Sequence, residues 1–113
     1  MATFQIDYDD EFDDLFIYRQ DTKSDISLNI ADFVVDVQKN GTLTGIEIMK
    51  ASNTLTQLLS KKVTKEELQK ITDVKMNVSS RENALYVSII VSTKLNGTAS
   101  QMTIPLVVPA IHN

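Results

Sequence analysis

Two Asn-Gly dipeptides, at residues 40–41 and 96–97, each separate two stretches in which apolar residues alternate with other residues. Such alternation is typical of a β-strand with one buried face. Asn-Gly between two strands favours a two-residue type I′ turn, because both central residues must adopt a positive φ. The sequence therefore predicts two β-hairpins, and in each one the turn determines which residues face one another.

The register of the first hairpin follows from placing Lys39 opposite Thr42. One face of the ribbon is then almost entirely apolar and the other is mixed, as a half-buried sheet requires. The predicted pairs on the nearly apolar face are Val37 with Thr44, Val35 with Ile46, and Phe33 with Ile48. The predicted pairs on the mixed face are Val34 with Glu47 and Asp36 with Gly45.

The second hairpin is built in the same way, with Leu95 opposite Thr98. Pro105 has no backbone N–H to donate to a strand ladder, so the last strand is expected at a sheet edge or with a bulge at this point. The predicted apolar pairs are Val91 with Met102, Ile89 with Ile104, Val87 with Leu106, and Leu85 with Val108.

Further strands are predicted from alternation at both ends of the chain. The N-terminal ones are centred on Phe4, Ile6 and Tyr8, on residues 15–18 and, with a weaker pattern, on residues 25–30. Another strand contains Val74, Met76 and Val78, and a turn is predicted over residues 79–83.

Two short helices are predicted between the hairpins. The first has the helical apolar spacing of Ala51, Leu55, Leu58 and Leu59. The second would run from Lys65 to Ile71, because Thr64 and Glu67 form a capping box and Val63 and Leu68 a hydrophobic staple. The expected fold is a single α+β domain of residues 1–113, with an N-terminal antiparallel β-meander, two short central helices and a C-terminal three-stranded antiparallel meander.

The densest polar feature is an acidic turn with carboxylates at Asp7, Asp9, Asp10, Glu11, Asp13 and Asp14. Crowded carboxylates repel one another, and a hard cation such as Ca²⁺ removes that cost by binding their oxygens. Asp9, Glu11 and Asp13 have the spacing of the first ligands of a calcium loop, but Asp14 and Gln20 stand where that loop needs Gly and Glu. The turn is therefore either a divalent-cation site with these three ligands or a solvated acidic surface.

Asp36 and Glu47 share the mixed face of the first hairpin, where a pair of carboxylates could act as acid and base if one were desolvated. Catalysis is the least favoured hypothesis, since no nucleophile motif, phosphate loop or dinucleotide fingerprint accompanies them. The single His, His112, has no partner that would suggest a triad. Phe16 and Tyr86 are interpreted as core or half-buried strand residues, and no cofactor is predicted.

The charge is unevenly distributed along the chain. Residues 1–36 carry ten acidic side chains against two basic ones, whereas residues 37–113 carry nine basic against five acidic. This polarity can steer a basic partner to one end or bring two copies together. Nucleic-acid binding is not expected, because the chain is acidic overall and has only two Arg, although Lys61, Lys62, Lys65 and Lys70 form a small basic surface.

The sequence has no membrane-spanning apolar stretch, and its first seven residues lack the basic and apolar regions of a secretory signal. Because the chain also has no Cys, disulfide frameworks and thiol nucleophiles are excluded. A soluble, cytoplasmic protein is expected.

Residues 8–17 read Tyr-Asp-Asp-Glu-Phe-Asp-Asp-Leu-Phe-Ile, and a hairpin ending in Gly45-Ile46-Glu47-Ile48 follows. Together with Ala51-Ser52, these motifs resemble a small prokaryotic family of domains of unknown function, over about Phe4 to Ser52. The resemblance implies a small β-rich domain without an established chemistry. Where the family usually has further acidic residues, this chain has Gln38 and Asn40, so part of any carboxylate set is missing.

The leading functional hypothesis is a non-catalytic interaction or regulatory module that binds a protein partner or associates weakly with itself through a sheet edge. It depends on the last strand, residues 98–108, which has no charged side chain to protect an exposed edge. The N-terminal strands, a helix or a second copy could cover it, and cover from within the chain is favoured over a weak dimer.

Overall fold

A computed structural model of the protein describes residues 4–109, so His112 lies outside the described part. The strands and helices follow one another as β1 (Phe4–Asp9), β2 (Asp14–Arg19), β3 (Ile26–Ile30), β4 (Phe33–Val37), β5 (Leu43–Ile48), α1 (Ala51–Leu59), α2 (Lys65–Leu68), β6 (Ile71–Arg81), β7 (Ala84–Leu95) and β8 (Thr98–Pro109). The expectation of mostly antiparallel strands with two short helices between the two groups of strands is confirmed.

The first five strands form an antiparallel sheet in the order β1-β2-β5-β4-β3. A strict meander would place β3 beside β2, but β5 takes that position, which is a Greek-key order. The β2–β5 register aligns the most apolar positions of the two strands, since Leu15 pairs with Ile48 and Ile17 with Ile46. The short and more polar β3 is thereby left at the edge.

The predicted register of the first hairpin is confirmed for four pairs, from Phe33–Ile48 to Asp36–Gly45. The pairing of Val37 with Thr44 is wrong, because Val37 pairs with Leu43 across a bulge. At the turn, the Gly41 N–H donates to Gln38 O at 2.8 Å, and Gly41 has a φ of 89°.

The first turn is therefore a three-residue loop with a left-handed glycine, and not the predicted two-residue type I′ turn. The additional residue in the loop is compensated at Thr44, where the bulge restores the register. The Thr44 hydroxyl is buried and donates to Asp36 O at 3.0 Å, which satisfies a carbonyl at the bulge.

The last three strands form a second antiparallel sheet in the order β6-β7-β8. All five predicted pairs of the second hairpin are confirmed, and Asn96 and Gly97 have the positive φ values, 52° and 79°, of a type I′ turn. Pro105 lies on the edge strand β8, as predicted, opposite Ser88. The turn expected over residues 79–83 is shorter, because β6 continues to Arg81 and pairs there with Ala84.

Each helix buries the apolar face that points towards the sheets. Ala51 and Leu55 of α1 are completely buried, whereas Leu58, predicted on the same apolar stripe, is 43% exposed. The Thr64–Glu67 capping box is present, but α2 ends at Leu68, since Ile71 already begins β6. Neither helix of the described residues is long and apolar enough to cross a membrane.

The buried apolar side chains of both sheets and both helices belong to one cluster. It includes Leu15, Ile17, Val35 and Ile46 from the first sheet and Val87, Ile89, Val91, Ile104 and Val108 from the second. The face of the first sheet that points away from this cluster is called the outer face below.

Candidate functional site

The acidic turn connects β1 to β2, and its carboxylates have different environments. The Oδ1 atom of Asp9 accepts hydrogen bonds from the backbone N–H groups of Glu11 and Phe12, at 3.0 and 3.3 Å. Glu11 is exposed. Asp9 therefore stabilises the turn locally, as Asx side chains commonly do.

Asp13 connects this turn to helix α1. Its carboxylate accepts hydrogen bonds from the Tyr8 hydroxyl at 2.6 Å, the Ser52 hydroxyl at 2.7 Å and the Ser52 backbone N–H at 3.1 Å. Its backbone carbonyl accepts a hydrogen bond from the N–H of Ala51 at 2.7 Å. Lys50, the residue before the helix, has no capping side-chain bond. Asp13, from a distant segment, satisfies two of the free N–H groups of the first turn, those of Ala51 and Ser52.

The hydrogen bonds of Asp13 determine its charge state. Burial alone raises the pKa of this carboxyl, but the bonds from Tyr8 and Ser52 and the nearby charge of Lys65 outweigh burial and leave the pKa below its usual value. The pKa of the Tyr8 hydroxyl is raised by burial, by its bond to Asp13 and by the surrounding carboxylates. Asp13 is therefore ionised and Tyr8 neutral at physiological pH.

Of the three predicted metal ligands, Asp9 and Asp13 thus already accept hydrogen bonds from the protein, and only Glu11 is exposed without such a bond in the described structure. Within residues 4–109, no group of three acidic, His or Cys side chains is arranged to hold a metal ion. Cation binding by Asp9, Glu11 and Asp13 stays a prediction.

The structure brings Asp36 and Glu47 together on the outer face, in neighbouring strands β4 and β5. They line a groove of about 370 Å³, which is called the outer groove below. Its outward-facing residues are Asp7, Phe16, Tyr18, Asp36, Gly45 and Glu47.

Two rows of paired residues cross the outer groove. In one row, Phe16 lies between Asp7 and Glu47. In the other row, Gly45 lies between Tyr18 and Asp36. Because Gly45 has no side chain, the middle of the groove is open between an aromatic ring and a carboxylate.

The electrostatics of the outer groove are governed by its carboxylates. Burial raises the pKa of Glu47, and the charges of Asp14 and Asp36 raise it further. Asp36 accepts a hydrogen bond from the Ser27 hydroxyl at 2.5 Å. The five strands of the first sheet carry no His or Lys, and their single Arg is Arg19. The Arg19 guanidinium lies 5.4 Å from the ring of Phe4, and Phe4 packs against the core.

The aromatic side of the groove is the part that sequence reasoning missed. Phe16 is half-buried, as predicted, but it lies on the outer face beside Tyr18, which is 43% exposed. A signal for this was available, because alternation in β2 places Leu15 and Ile17 inward and the two aromatic residues outward. The proximity of Gly45 could not be found in this way, since it depends on the β2–β5 pairing.

The edge strand β8 is a second candidate surface. Its inward side chains, Met102, Ile104, Leu106 and Val108, are buried within the chain. Within the described residues, the backbone of β8 forms strand hydrogen bonds only with β7. Within residues 4–109, no strand pairs with the edge that points away from β7, so the predicted cover of this edge by another strand of the chain is not found there.

The part of the chain that is similar to known proteins forms most of the first sheet. Residues 5–52 match the family described as protein of unknown function (DUF2283), which confirms the resemblance expected over about Phe4 to Ser52. The uncharacterized protein MJ0789 of Methanocaldococcus jannaschii is 44% identical over 48 residues, which are 42% of this chain and 41% of that protein. The chain thus matches about two fifths of the length of this curated relative, and no solved structure gives a significant match.

The matched segment coincides with a structural unit. It contains all of the outer groove and ends at Ser52, the residue whose N–H and hydroxyl bind Asp13. The strands β6 to β8 lie outside it. The outer groove therefore lies within the matched segment, and the β8 edge lies outside it.

Proposed function

We propose that this protein is a non-catalytic interaction module that associates weakly with a second copy of itself through the open edge of β8. The observation that carries the proposal is a twelve-residue edge strand without a single charged side chain. Edge strands of native proteins are commonly protected by charged residues, because unpaired backbone groups otherwise pair with another chain.

The other sheet edges support this assignment by contrast. Strand β1 carries Asp7 and Asp9. Strand β6 carries Asp73, Lys75 and Arg81. Strand β3 is uncharged but only five residues long. Among the four edge strands of the described residues, β8 alone is both long and uncharged.

The hairpin geometry determines which backbone groups are available. The two residues that flank a two-residue turn form a hydrogen-bonded pair, and such pairs alternate along the ladder. Thr98 and every second residue after it therefore bond to β7. The N–H and C=O groups of Ala99, Gln101, Thr103 and Val107 point away from β7, whereas Pro105 offers only a carbonyl.

An antiparallel arrangement of two β8 strands satisfies these groups. With Gln101 of one protomer opposite Thr103 of its partner, Pro105 lies towards the end of the shared ladder, where its missing N–H costs least. Only a few backbone bonds form and the apolar face of β8 is already buried, so the association is expected to be weak.

Sedimentation velocity over a wide range of protein concentration tests the proposal. We expect the wild-type protein to form dimers as its concentration rises, and Thr103→Lys to remain monomeric because it places a charge on the pairing strand of both copies. Asn77→Lys adds the same charge to an exposed position of β6 and should dimerise like the wild type.

Gln101→Pro provides a second variant that is independent of charge, since it removes an N–H that points away from β7. Thermal melting at low concentration confirms that each variant is folded. A wild type that is monomeric at every concentration, or folded Thr103→Lys and Gln101→Pro variants that dimerise normally, would contradict the proposal.

A further inference from the structure

We propose that the outer groove binds the guanidinium group of an arginine on a partner protein. The groove lies on the first sheet, away from the β8 edge, so this inference does not depend on the proposed self-association. It follows from the charge of the face, the shape of the groove and the residues that form its walls.

The outer face is negatively charged without any compensating charge from its own strands. The outward positions of the first sheet include Asp7, Asp14, Asp36 and Glu47. Arg19, the only basic residue in these five strands, lies over the Phe4 ring and so belongs to the other side of the sheet. The face therefore complements a cation.

The groove carries its carboxylates on separate strands. Asp7 lies on β1, whereas Glu47 and Asp36 lie on β5 and β4, beyond β2, so a ligand that reaches more than one of them extends across the sheet. A Cβ atom at Gly45 would lie only 3.3 Å from Ile17 O and 3.4 Å from the Tyr18 Cβ, so glycine allows β2 and β5 to approach closely at this point. In this row no side chain therefore stands between the Tyr18 ring and the Asp36 carboxylate.

A guanidinium group fits this combination. Its flat surface stacks on an aromatic ring, while its N–H groups donate to carboxylates in a fixed planar arrangement. It is also more weakly hydrated than an ammonium group, so it loses less on entering a partly buried site. Tyr18 or Phe16 would provide the stacking surface, and Asp36 and Glu47 would accept the hydrogen bonds.

The open form of the groove indicates that the guanidinium is carried by a protein. A small free ligand is usually held in a pocket that buries most of its surface. Here Tyr18 is 43% exposed and Asp7 lies at the solvent-exposed end of its row. An arginine side chain can use such a groove, because the surrounding partner surface supplies the remaining contacts.

The charge state of Glu47 gives an independent readout of binding. In the free protein, burial and the charges of Asp14 and Asp36 raise the pKa of Glu47. A bound guanidinium would favour the ionised carboxylate and would lower this pKa.

The probe for the test is an end-blocked Arg-Gly-Arg peptide, titrated into the full chain labelled for nuclear magnetic resonance. The matched control peptide carries citrulline, the neutral isostere of arginine, at both positions. We expect saturable shifts of Tyr18, Gly45 and Glu47 with the arginine peptide and none with the citrulline peptide. A lysine peptide should bind more weakly.

The variants Asp36→Asn and Glu47→Gln remove one charge each and preserve side-chain size. Each should weaken the binding of the arginine peptide about tenfold or more, which corresponds to the loss of one charge-assisted hydrogen bond. Asp73→Asn, on the exposed surface of β6, changes the net charge equally and should bind like the wild type. Binding of the arginine peptide to the wild-type protein should also lower the pKa of Glu47, which is measured from the side-chain carboxyl signal.

Three results would overturn the proposal: shifts located outside the groove, equal binding of the citrulline peptide, or unchanged binding by the folded Asp36→Asn and Glu47→Gln variants. If groove signals shift with protein concentration alone, the occupant is a second copy of the chain and the partner assignment is wrong. Far-ultraviolet circular dichroism of each variant shows whether it is folded, and Tyr18→Leu tests the aromatic wall if a charge variant unfolds.

Discussion

The carboxylate of Asp13 accepts hydrogen bonds from both the backbone N–H and the hydroxyl of Ser52, 39 residues further along the chain. This contact joins the acidic turn of the first sheet to the first turn of α1. The Lys50 side chain does not cap the helix. The cap is instead provided by a residue from a distant loop, whereas most helices are capped by the residue that directly precedes them. Asp13 also adopts a left-handed conformation, with a φ of 57°, which directs its carboxylate and its carbonyl to the same helix end.

Replacing Asp13 by Asn is expected to lower the free energy of unfolding by about 1 kcal/mol, because one of the two acceptor oxygens at the helix end is lost. Asn tolerates the left-handed conformation, but its amide nitrogen cannot accept a hydrogen bond. The negative charge of the Asp13 carboxylate is also lost. Urea denaturation measures the change. Asp21→Asn is the matched control, since Asp21 is also left-handed, with a φ of 62°, and is exposed. Equal stability of the two variants would show that the charge and the second acceptor oxygen of Asp13 do not stabilise the helix end.

The second hairpin could be predicted in full, because its turn type, its alternation and its burial agree. The first hairpin shows what such reasoning cannot find. Asn40-Gly41 has the same composition, but a three-residue loop and a bulge at Thr44 replace the simple turn while four of the predicted pairs are retained. The alternation of apolar residues does not indicate where a bulge occurs, and it does not show that the Thr44 hydroxyl donates to a carbonyl there.

Contacts between distant segments were equally beyond prediction. The pairing of β2 with β5 has no local signal, because loop closure between remote strands is determined by the whole core. The cap of α1 by Asp13 and the position of Gly45 beside Tyr18 both follow from that pairing or from its neighbours. The individual residues of the acidic turn and of the carboxylate pair were identified from the sequence, whereas their partners were not.

The carboxylate of Glu47 is expected to destabilise the protein at neutral pH. Its pKa in the folded state is raised above the ordinary value of 4.5, so folding favours the protonated form and opposes ionisation. Glu47→Gln should therefore be more stable than the wild type at neutral pH, by about 0.5 kcal/mol. This advantage should decrease as the pH falls through the folded-state pKa and should vanish below 4.5.

Urea denaturation of wild type and variant at several pH values measures this effect. Glu82→Gln, in the exposed turn between β6 and β7, is the control for the loss of one negative charge. A stability difference for Glu47→Gln that is independent of pH would mean that repulsion and desolvation at Glu47 do not cause it.

The two Asn-Gly turns are expected to respond differently to the same substitution. Asn96 has a left-handed φ of 52°, a conformation that glycine adopts freely, so Asn96→Gly should change the free energy of unfolding by less than about 0.5 kcal/mol. Asn40 has no positive φ, and its Oδ1 accepts a hydrogen bond from the N–H of Thr42 at 3.0 Å. Asn40→Gly should therefore cost about 1 kcal/mol through lost hydrogen bonding and greater freedom of the unfolded chain. Equal effects in thermal or urea denaturation would indicate that both turns have the same type.

Calcium is expected to act on the acidic turn only by screening. The Asp9 and Asp13 carboxylates accept hydrogen bonds that hold the turn and helix α1, so part of their acceptor capacity is already used by the protein. Addition of CaCl₂ should shift the amide signals of residues 9–14 without saturation, and an equal ionic strength of NaCl should have a similar effect. The melting temperature should stay unchanged, because only a ligand that binds the folded state raises it. Saturable shifts with a higher melting temperature, lost in Glu11→Gln, would instead establish the turn as a cation site with Glu11 as a ligand.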